Sequence, residues 1–324
     1  PVDRVPVAAV ATGITVEMQE KVGIHWPEAH TDVDQLAGLA ESIHLYTDIE
    51  CIKLPLCMTI EVEALGAEID YRTHDTVPTE VGPACHRPDE LVVPEDFFDR
   101  ARVPIVLKAI SKLRKKYDNE LVVISSIVGP FSIAEKIFGF GEFLTWTISD
   151  PDWVHQAMKK LTPLAIQYSQ AQVNAGADAI IIGEAGCSGD LISAATYRDF
   201  ILPYHKELCA AISVPTVMHI CGKSTRHTEF IAQSGTTAYN FDEGVDISVA
   251  HKNMDGNTAL TGYVPTVKVL LDGTPDDVYA SAWRCLEQGV DVLTPGCAMA
   301  PYTPLANIAA MTQAADDWAK AHFK

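Results

Sequence analysis

His219, Cys221 and Cys297 are the residues whose types and spacing suggest metal chemistry. The run Thr216-Val-Met-His-Ile-Cys-Gly222 follows Val214-Pro215 and ends at a glycine, the pattern of a short buried strand. Side chains alternate along a strand, so His219 and Cys221 share one face while Met218 and Ile220 take the other. Their Cα atoms would then sit roughly 6–7 Å apart. At that spacing an imidazole nitrogen at about 2.0–2.1 Å and a thiolate sulfur at about 2.3 Å can meet on one zinc ion. Alone, a strand His and Cys are more often plain core residues, because free cysteine is among the most buried types. A second apolar run, Val290-Asp-Val-Leu-Thr-Pro-Gly-Cys297, delivers another cysteine just past its end. Three protein ligands with one position open distinguish a catalytic zinc from a closed structural one.

These residues belong to a chain of 324 residues with 48% hydrophobic and 21% charged side chains, ample material for a globular core. Lys plus Arg is 24 against Asp plus Glu at 43, a net charge of −19. That balance argues against nucleic acid or an anionic membrane as partner, since phosphate surfaces demand a basic face. There is no apolar run near twenty residues and no signal-peptide pattern. The chain starts at Pro1 rather than a methionine, as if a short leader preceded it, and a cytoplasmic location is expected. The eight cysteines form no CxxC pair and no dense framework, so reduced thiols are expected, with Cys209 and Cys285 as core filler.

The elements that would position the three ligands alternate along the chain. Apolar strand runs occur at 5–10, 49–54, 121–128, 178–183, 216–221, 237–241, 258–263 and 290–293, with helical patterns between most of them. The longest helix is expected over about 151–175, others over 15–22, 31–41, 103–113, 196–208 and 274–286. Eight strands alternating with helices predict an α/β fold, a single TIM (β/α)8 barrel over residues 1–324, with an open doubly wound sheet as the alternative. Residues from about 61 to 94 break the rhythm and read as an irregular N-terminal excursion: a small hairpin, 67–71 against 76–80, and a possible lid. No G-x-G-x-x-G at a strand–helix turn and no P-loop pattern supports nucleotide binding.

In such a barrel the chemistry lies at the C-terminal strand ends. That rule selects Glu184 after the fourth strand, His219 and Cys221 on the fifth, Asp242 and Glu243 after the sixth, Tyr263 after the seventh and Cys297 after the eighth. Asp242 and Glu184 are candidates for a resting fourth metal ligand, or else solvated carboxylates or partners orienting His219. Tyr263 is expected to be packing, and His205, His227 and His251 surface or helix-end residues.

His219-x-Cys221 followed by 75 residues and then Cys297 resembles the zinc-ligand pattern of the methylcobamide:coenzyme M methyltransferases, in the uroporphyrinogen decarboxylase superfamily. Supporting segments are Asp3-Arg-Val-Pro-Val7, Trp26-Pro-Glu-Ala-His-Thr31, the stretch 183–193 and Asp291-Val-Leu-Thr-Pro-Gly-Cys297. The resemblance implies a TIM barrel, a catalytic zinc on His219, Cys221 and Cys297, and methyl transfer between a small-molecule thiol and the cobalt of a methylcobamide on a corrinoid protein. Decarboxylases of the superfamily hold their substrate's carboxylates with an arginine-rich N-terminal loop, whereas Ala8-Ala-Val-Ala-Thr-Gly13 has no arginine. Two other expectations stay open: an O-demethylase type that passes a methyl group from a donor to cob(I)alamin, and a corrinoid-protein-binding protein without turnover. Coenzyme M would need a sulfonate site, and isolated basic residues such as Lys53, Arg72 and Lys223 do not by themselves mark one.

Overall fold

The structure, a computed structural model, describes residues 4–322. Asp3 of the opening pattern therefore lies outside the described residues. Among the described residues there are nine strands: β1 (Cys51–Leu54), β2 (Ile69–Asp70), β3 (Thr79–Glu80), β4 (Val122–Val128), β5 (Ala179–Gly183), β6 (Thr216–His219), β7 (Ala238–Asn240), β8 (Ala259–Val264) and β9 (Val292–Pro295). Seven of them form one parallel sheet in the order β1-β4-β5-β6-β7-β8-β9. The main helices are α1 (Val16–Val22), α2 (Val33–Thr47), α3 (Ile60–Ala64), α4 (Val103–Tyr117), α5 (Pro130–Phe138), α6 (Phe140–Ser149), α7 (Pro151–Ala175), α8 (Ala194–Thr196), α9 (Leu202–Ala211), α10 (Thr228–Gln233), α11 (Ile247–Met254), α12 (Pro275–Glu287) and α13 (Leu305–His322).

The first expected strand, 5–10, is the main departure. It makes a single bridge, Val7 to Leu293, instead of a ladder. Its backbone nevertheless bonds on both sides. Leu293 N–H donates to Pro6 O (2.9 Å) and Ala8 N–H to Leu293 O (3.0 Å), while Glu50 N–H donates to Val7 O (3.1 Å). The segment thus fills the gap between β9 and β1 and closes the sheet into a barrel with seven regular strands and one irregular one. Pro6 has no N–H to give, which is one reason a full ladder cannot form there.

Local chemistry sets the helix ends. Asp32 caps α2 by accepting from Asp34 N–H and Gln35 N–H, and Thr274 with Asp277 forms a capping box on α12. Gly176 ends α7 at φ 115°, where a side chain would be strained and a Cβ would also strike Arg114. The excursion begins after α3, four residues later than its sequence pattern suggests. It contains the antiparallel pair β2–β3, Ile69 opposite Glu80. It is pinned by Lys136 Nζ on Glu80 (2.9 Å), Gln19 Nε2 on the His74 carbonyl (2.7 Å) and Tyr302 OH on Asp75 (2.9 Å). No helix among the described residues is long and apolar enough to cross a membrane.

Candidate metal centre

β6 ends at His219, so Cys221 sits on the loop beyond it rather than on the strand. Gly222 follows at φ 76°, a left-handed turn whose vacant side is filled by Ser188 and Asp190. Its N–H donates to Asp242 Oδ2 (2.6 Å), while Gly244 N–H donates to Asp242 Oδ1 (2.9 Å). Asp242 therefore ties the loop after β7 to the loop carrying Cys221. Cys297 arrives from the loop after β9, beside Gly296, where an added Cβ would lie 2.8 Å from the Asp242 backbone.

The three ligand atoms lie within 4.8 Å of one another, and Cys297 Sγ is 3.6 Å from His219 Nε2. Tetrahedral bonds of about 2.05 Å to nitrogen and 2.3 Å to sulfur place N and S about 3.6 Å apart. The side chains thus fit a zinc ion without rearrangement of that edge. The imidazole is aimed by Asn240: His219 Nδ1–H donates to Asn240 Oδ1 (2.5 Å), and Asn240 Nδ2 donates to Thr294 Oγ1 (2.8 Å) and Thr261 O (3.2 Å). The amide is held on both ends, which fixes its orientation and leaves the His219 Nε2 lone pair facing Cys297.

Charge follows the same design. Burial lowers the His219 pKa, keeping the ring neutral and able to ligate. The Cys221 thiol is pushed up because it donates a hydrogen bond to Cys297 and is buried; the same bond pulls Cys297 down. The carboxylates of Asp242 and Glu243 bear on Cys297, opposing its ionisation.

The three candidate ligands open on a cavity of about 100 Å³ that also reaches Thr12, Lys53, Cys57, Glu61 and Ser126. Its floor was not legible from the motif. Cys57 is buried, yet the hydrogen bond from His30 and the Arg102 guanidinium (3.2 Å away) outweigh burial and bring its thiol down to about 5. Arg102 also binds Glu63 (2.6 Å) and Thr59 Oγ1 (2.8 Å). His30, which bears on Cys57, stacks on Trp26 with ring centroids 5.4 Å apart, so segment 26–31 packs behind Cys57.

Other expected site residues lie elsewhere. Glu184, a candidate ligand, faces away from the triad: its carboxylate accepts from Ser132 N–H (2.9 Å), Phe131 N–H (3.3 Å) and His205 Nε2 (2.9 Å). It caps the N-terminus of α5, a natural seat for a carboxylate. Gly129 is required beside it, since a Cβ there would fall 2.2 Å from the carboxylate. His205 and His227 are buried rather than superficial; His205 joins Glu184 to the Tyr197 hydroxyl, and His227 stacks on Tyr197. His251 is exposed at a helix end, as its pattern implied. Tyr263 stacks on Phe241 and bonds Gln288, a packing role. Arg72 and Lys223 are exposed and paired with Asp70 and Asp190. All eight cysteines are free.

The chain belongs to the uroporphyrinogen decarboxylase (URO-D) family, whose profile matches residues 1–318. Within that family its similarity runs to the methylcobamide:coenzyme M methyltransferases. It is 36% identical over 320 residues to methylcobamide:CoM methyltransferase MtaA of Methanosarcina barkeri (strain Fusaro / DSM 804), covering 98% of this chain and 94% of the relative. To the methylated-thiol–coenzyme M methyltransferase of Methanosarcina mazei it is 33% identical over 313 residues, 97% and 85% of the two chains. A solved methyltransferase from Methanosarcina mazei superposes with a TM-score of 0.95 at 34% identity, covering 98% and 95%.

Proposed function

We propose that this chain moves a methyl group from a methylcobamide, carried on a partner corrinoid protein, to the thiol of coenzyme M, using a zinc ion held by His219, Cys221 and Cys297. One observation carries this reading: a histidine and two sulfurs, from two widely separated parts of the chain, converge with zinc-like spacing at the mouth of one small cavity. The names of the similar proteins supply the methyl donor and acceptor.

Zinc bound there supplies Lewis acidity that favours loss of the acceptor thiol's proton and fixes where its sulfur lies. The remaining work falls to the chain. Asn240 holds His219 in the ligating tautomer, and Asp242 holds the Cys221 loop. Val10, Ile127, Val128 and Ile181 wall the cavity with apolar surface and limit hydration of an incoming sulfur. The acceptor sulfur forms the new S–CH3 bond as the Co–C bond breaks; cobalt(III) keeps the bonding pair and becomes cobalt(I), and the thiol proton is released. Alignment of sulfur, methyl and cobalt supplies much of the rate. Decarboxylation of a porphyrinogen is poorly served by the same site, because Lys53 is the one cation among the residues lining the cavity.

The test is paired. Cys221→Ser and Cys297→Ser should each lower zinc content by elemental analysis at least tenfold and abolish coenzyme M-dependent demethylation of methylcobalamin. Full zinc retention in both variants would overturn the ligand assignment. Supplying methylated coenzyme M with cob(I)alamin measures the reverse direction.

A further inference from the structure

From the placement of Lys53 we infer that it is an anion subsite for the acceptor's distal sulfonate, holding a short thiol in the cavity with its sulfur toward His219, Cys221 and Cys297. The inference rests on the proposed methyl transfer to coenzyme M and names a residue that selects the acceptor. Lys53 sits on β1, lines the cavity and is 7% exposed. Its Nζ donates to one acceptor, the Pro55 carbonyl at 2.7 Å. Two of the three ammonium N–H groups have no hydrogen-bond acceptor among the described residues. An isolated buried ammonium is costly unless something anionic meets it.

The neighbouring anions are engaged elsewhere. The Cys57 sulfur faces Arg102 (3.2 Å), and Glu63 pairs with the same guanidinium (2.6 Å). Glu61 accepts from Val128 N–H (2.8 Å), and burial raises its carboxyl to about 7, toward the uncharged form. Burial lowers Lys53 to about 8, with Cys57 and Glu61 acting the other way, so the ammonium remains mostly charged at neutral pH. Lys53 also lies close enough to His219 to disfavour protonation of the ring, so cation and ligand set share one small space. Coenzyme M, 2-mercaptoethanesulfonate, has a thiol and a sulfonate two carbons apart. A cavity of about 100 Å³ lined by both the candidate sulfur ligands and an ammonium offers a partner to each end of such a molecule. Sulfonate oxygens accept hydrogen bonds but give none, the complement of the free N–H groups.

The experiment compares the zinc-loaded wild type with Lys53→Met and Lys53→Arg. Methylcobalamin is the donor, and the acceptors are 2-mercaptoethanesulfonate and uncharged 2-mercaptoethanol. Lys53→Met should raise KM for the sulfonate by about 30-fold or more with kcat within about threefold, leave 2-mercaptoethanol unchanged, and be partly rescued by Lys53→Arg. Calorimetric titration with ethanesulfonate, which has no thiol to reach a metal, should show binding to wild type and its loss in Lys53→Met. An equal rise in KM for both thiols, or ethanesulfonate binding that survives the substitution, would overturn the subsite. If wild type methylates neither thiol, the methyl-transfer reading fails by itself, and the ethanesulfonate titration still decides Lys53. Should Lys53→Met melt much below wild type, Lys53→Gln carries the same test, with unchanged zinc content as the control for an intact site.

Discussion

Asn240 does not line the cavity and carries no charge, yet it fixes the orientation of His219, a ligand in the proposed zinc site. Replacing it by Ala frees the imidazole to rotate and to take the wrong tautomer. Zinc affinity should fall about 10–100-fold, measured by competition with a chromophoric chelator. Glu135 is a second residue whose state follows from its surroundings. Burial and the charge of Glu184 raise its carboxyl to about 8, and its Oε1 has no hydrogen-bond partner. The folded protein therefore keeps a proton there that the unfolded chain has lost above the ordinary glutamate range. Stability should decline as pH rises from about 5 through 8, and Glu135→Gln should remove that decline. Chemical unfolding should show the variant near parity at pH 5 and more stable by about 1–3 kcal/mol at pH 8.5. The His-x-Cys pair and the distant cysteine were legible in the sequence because ligand types are few and their strand-end placement is regular. Asn240, Cys57 and Arg102 were not, because each acts through a neighbour 20 or more positions away; Lys53 showed in the sequence only as one basic residue among several, with nothing to say that it lines the cavity.

Between residues and barrel lie the elements, and here the alternation of patterns was informative. The helix expected at about 151–175 is α7, Pro151–Ala175, and all seven regular sheet strands lie within or overlap their apolar runs. The errors have physical causes. Apolar periodicity cannot tell a ladder strand from an extended segment that bonds irregularly on two sides, which is why 5–10 read as a full strand. Helical spacing in 196–208 gave no hint that the Tyr197–Ile201 π-turn lies ahead of α9, or that His205 points inward. Glu184 looked like a cavity carboxylate because it follows a strand; the glycine at 129 admits it to the end of α5 instead. Glu184→Ala should strip acceptors from two α5 N–H groups and from His205. A loss of about 3–5 kcal/mol, seen as a fall in Tm, is expected with zinc content unchanged. Loss of zinc in that variant, with the fold intact, would instead return Glu184 to the ligand set.

Over the whole molecule, the charge of −19 acts on whatever approaches the mouth. An anionic thiol meets repulsion from exposed carboxylates that salt screens over about 10 Å at 0.1 M. Lys53, being buried, is screened much less. Raising ionic strength from 10 to 150 mM should therefore increase kcat/KM for 2-mercaptoethanesulfonate, by about twofold, and leave 2-mercaptoethanol unaffected in the same assay. The barrel also has one seam without a regular strand, closed by Pro6–Ala8 between β9 and the residue preceding β1. Removing residues 1–8 should uncover two strand edges, lower Tm and promote aggregation on heating, measurable by light scattering.

The loops after β6 and β9 bring their sulfurs together at the rim, while buried apolar side chains hold the interior beneath them. An ion gripped there would clasp two otherwise separate stretches of chain above layers that apolar packing already holds. Stripping it with a chelator should leave the far-UV circular dichroism intact while making the peptide bonds around residues 221–224 and 296–300 easier for a protease to cut. Returning zinc should reseal them, so that loading is a late and reversible step in the life of an already folded barrel.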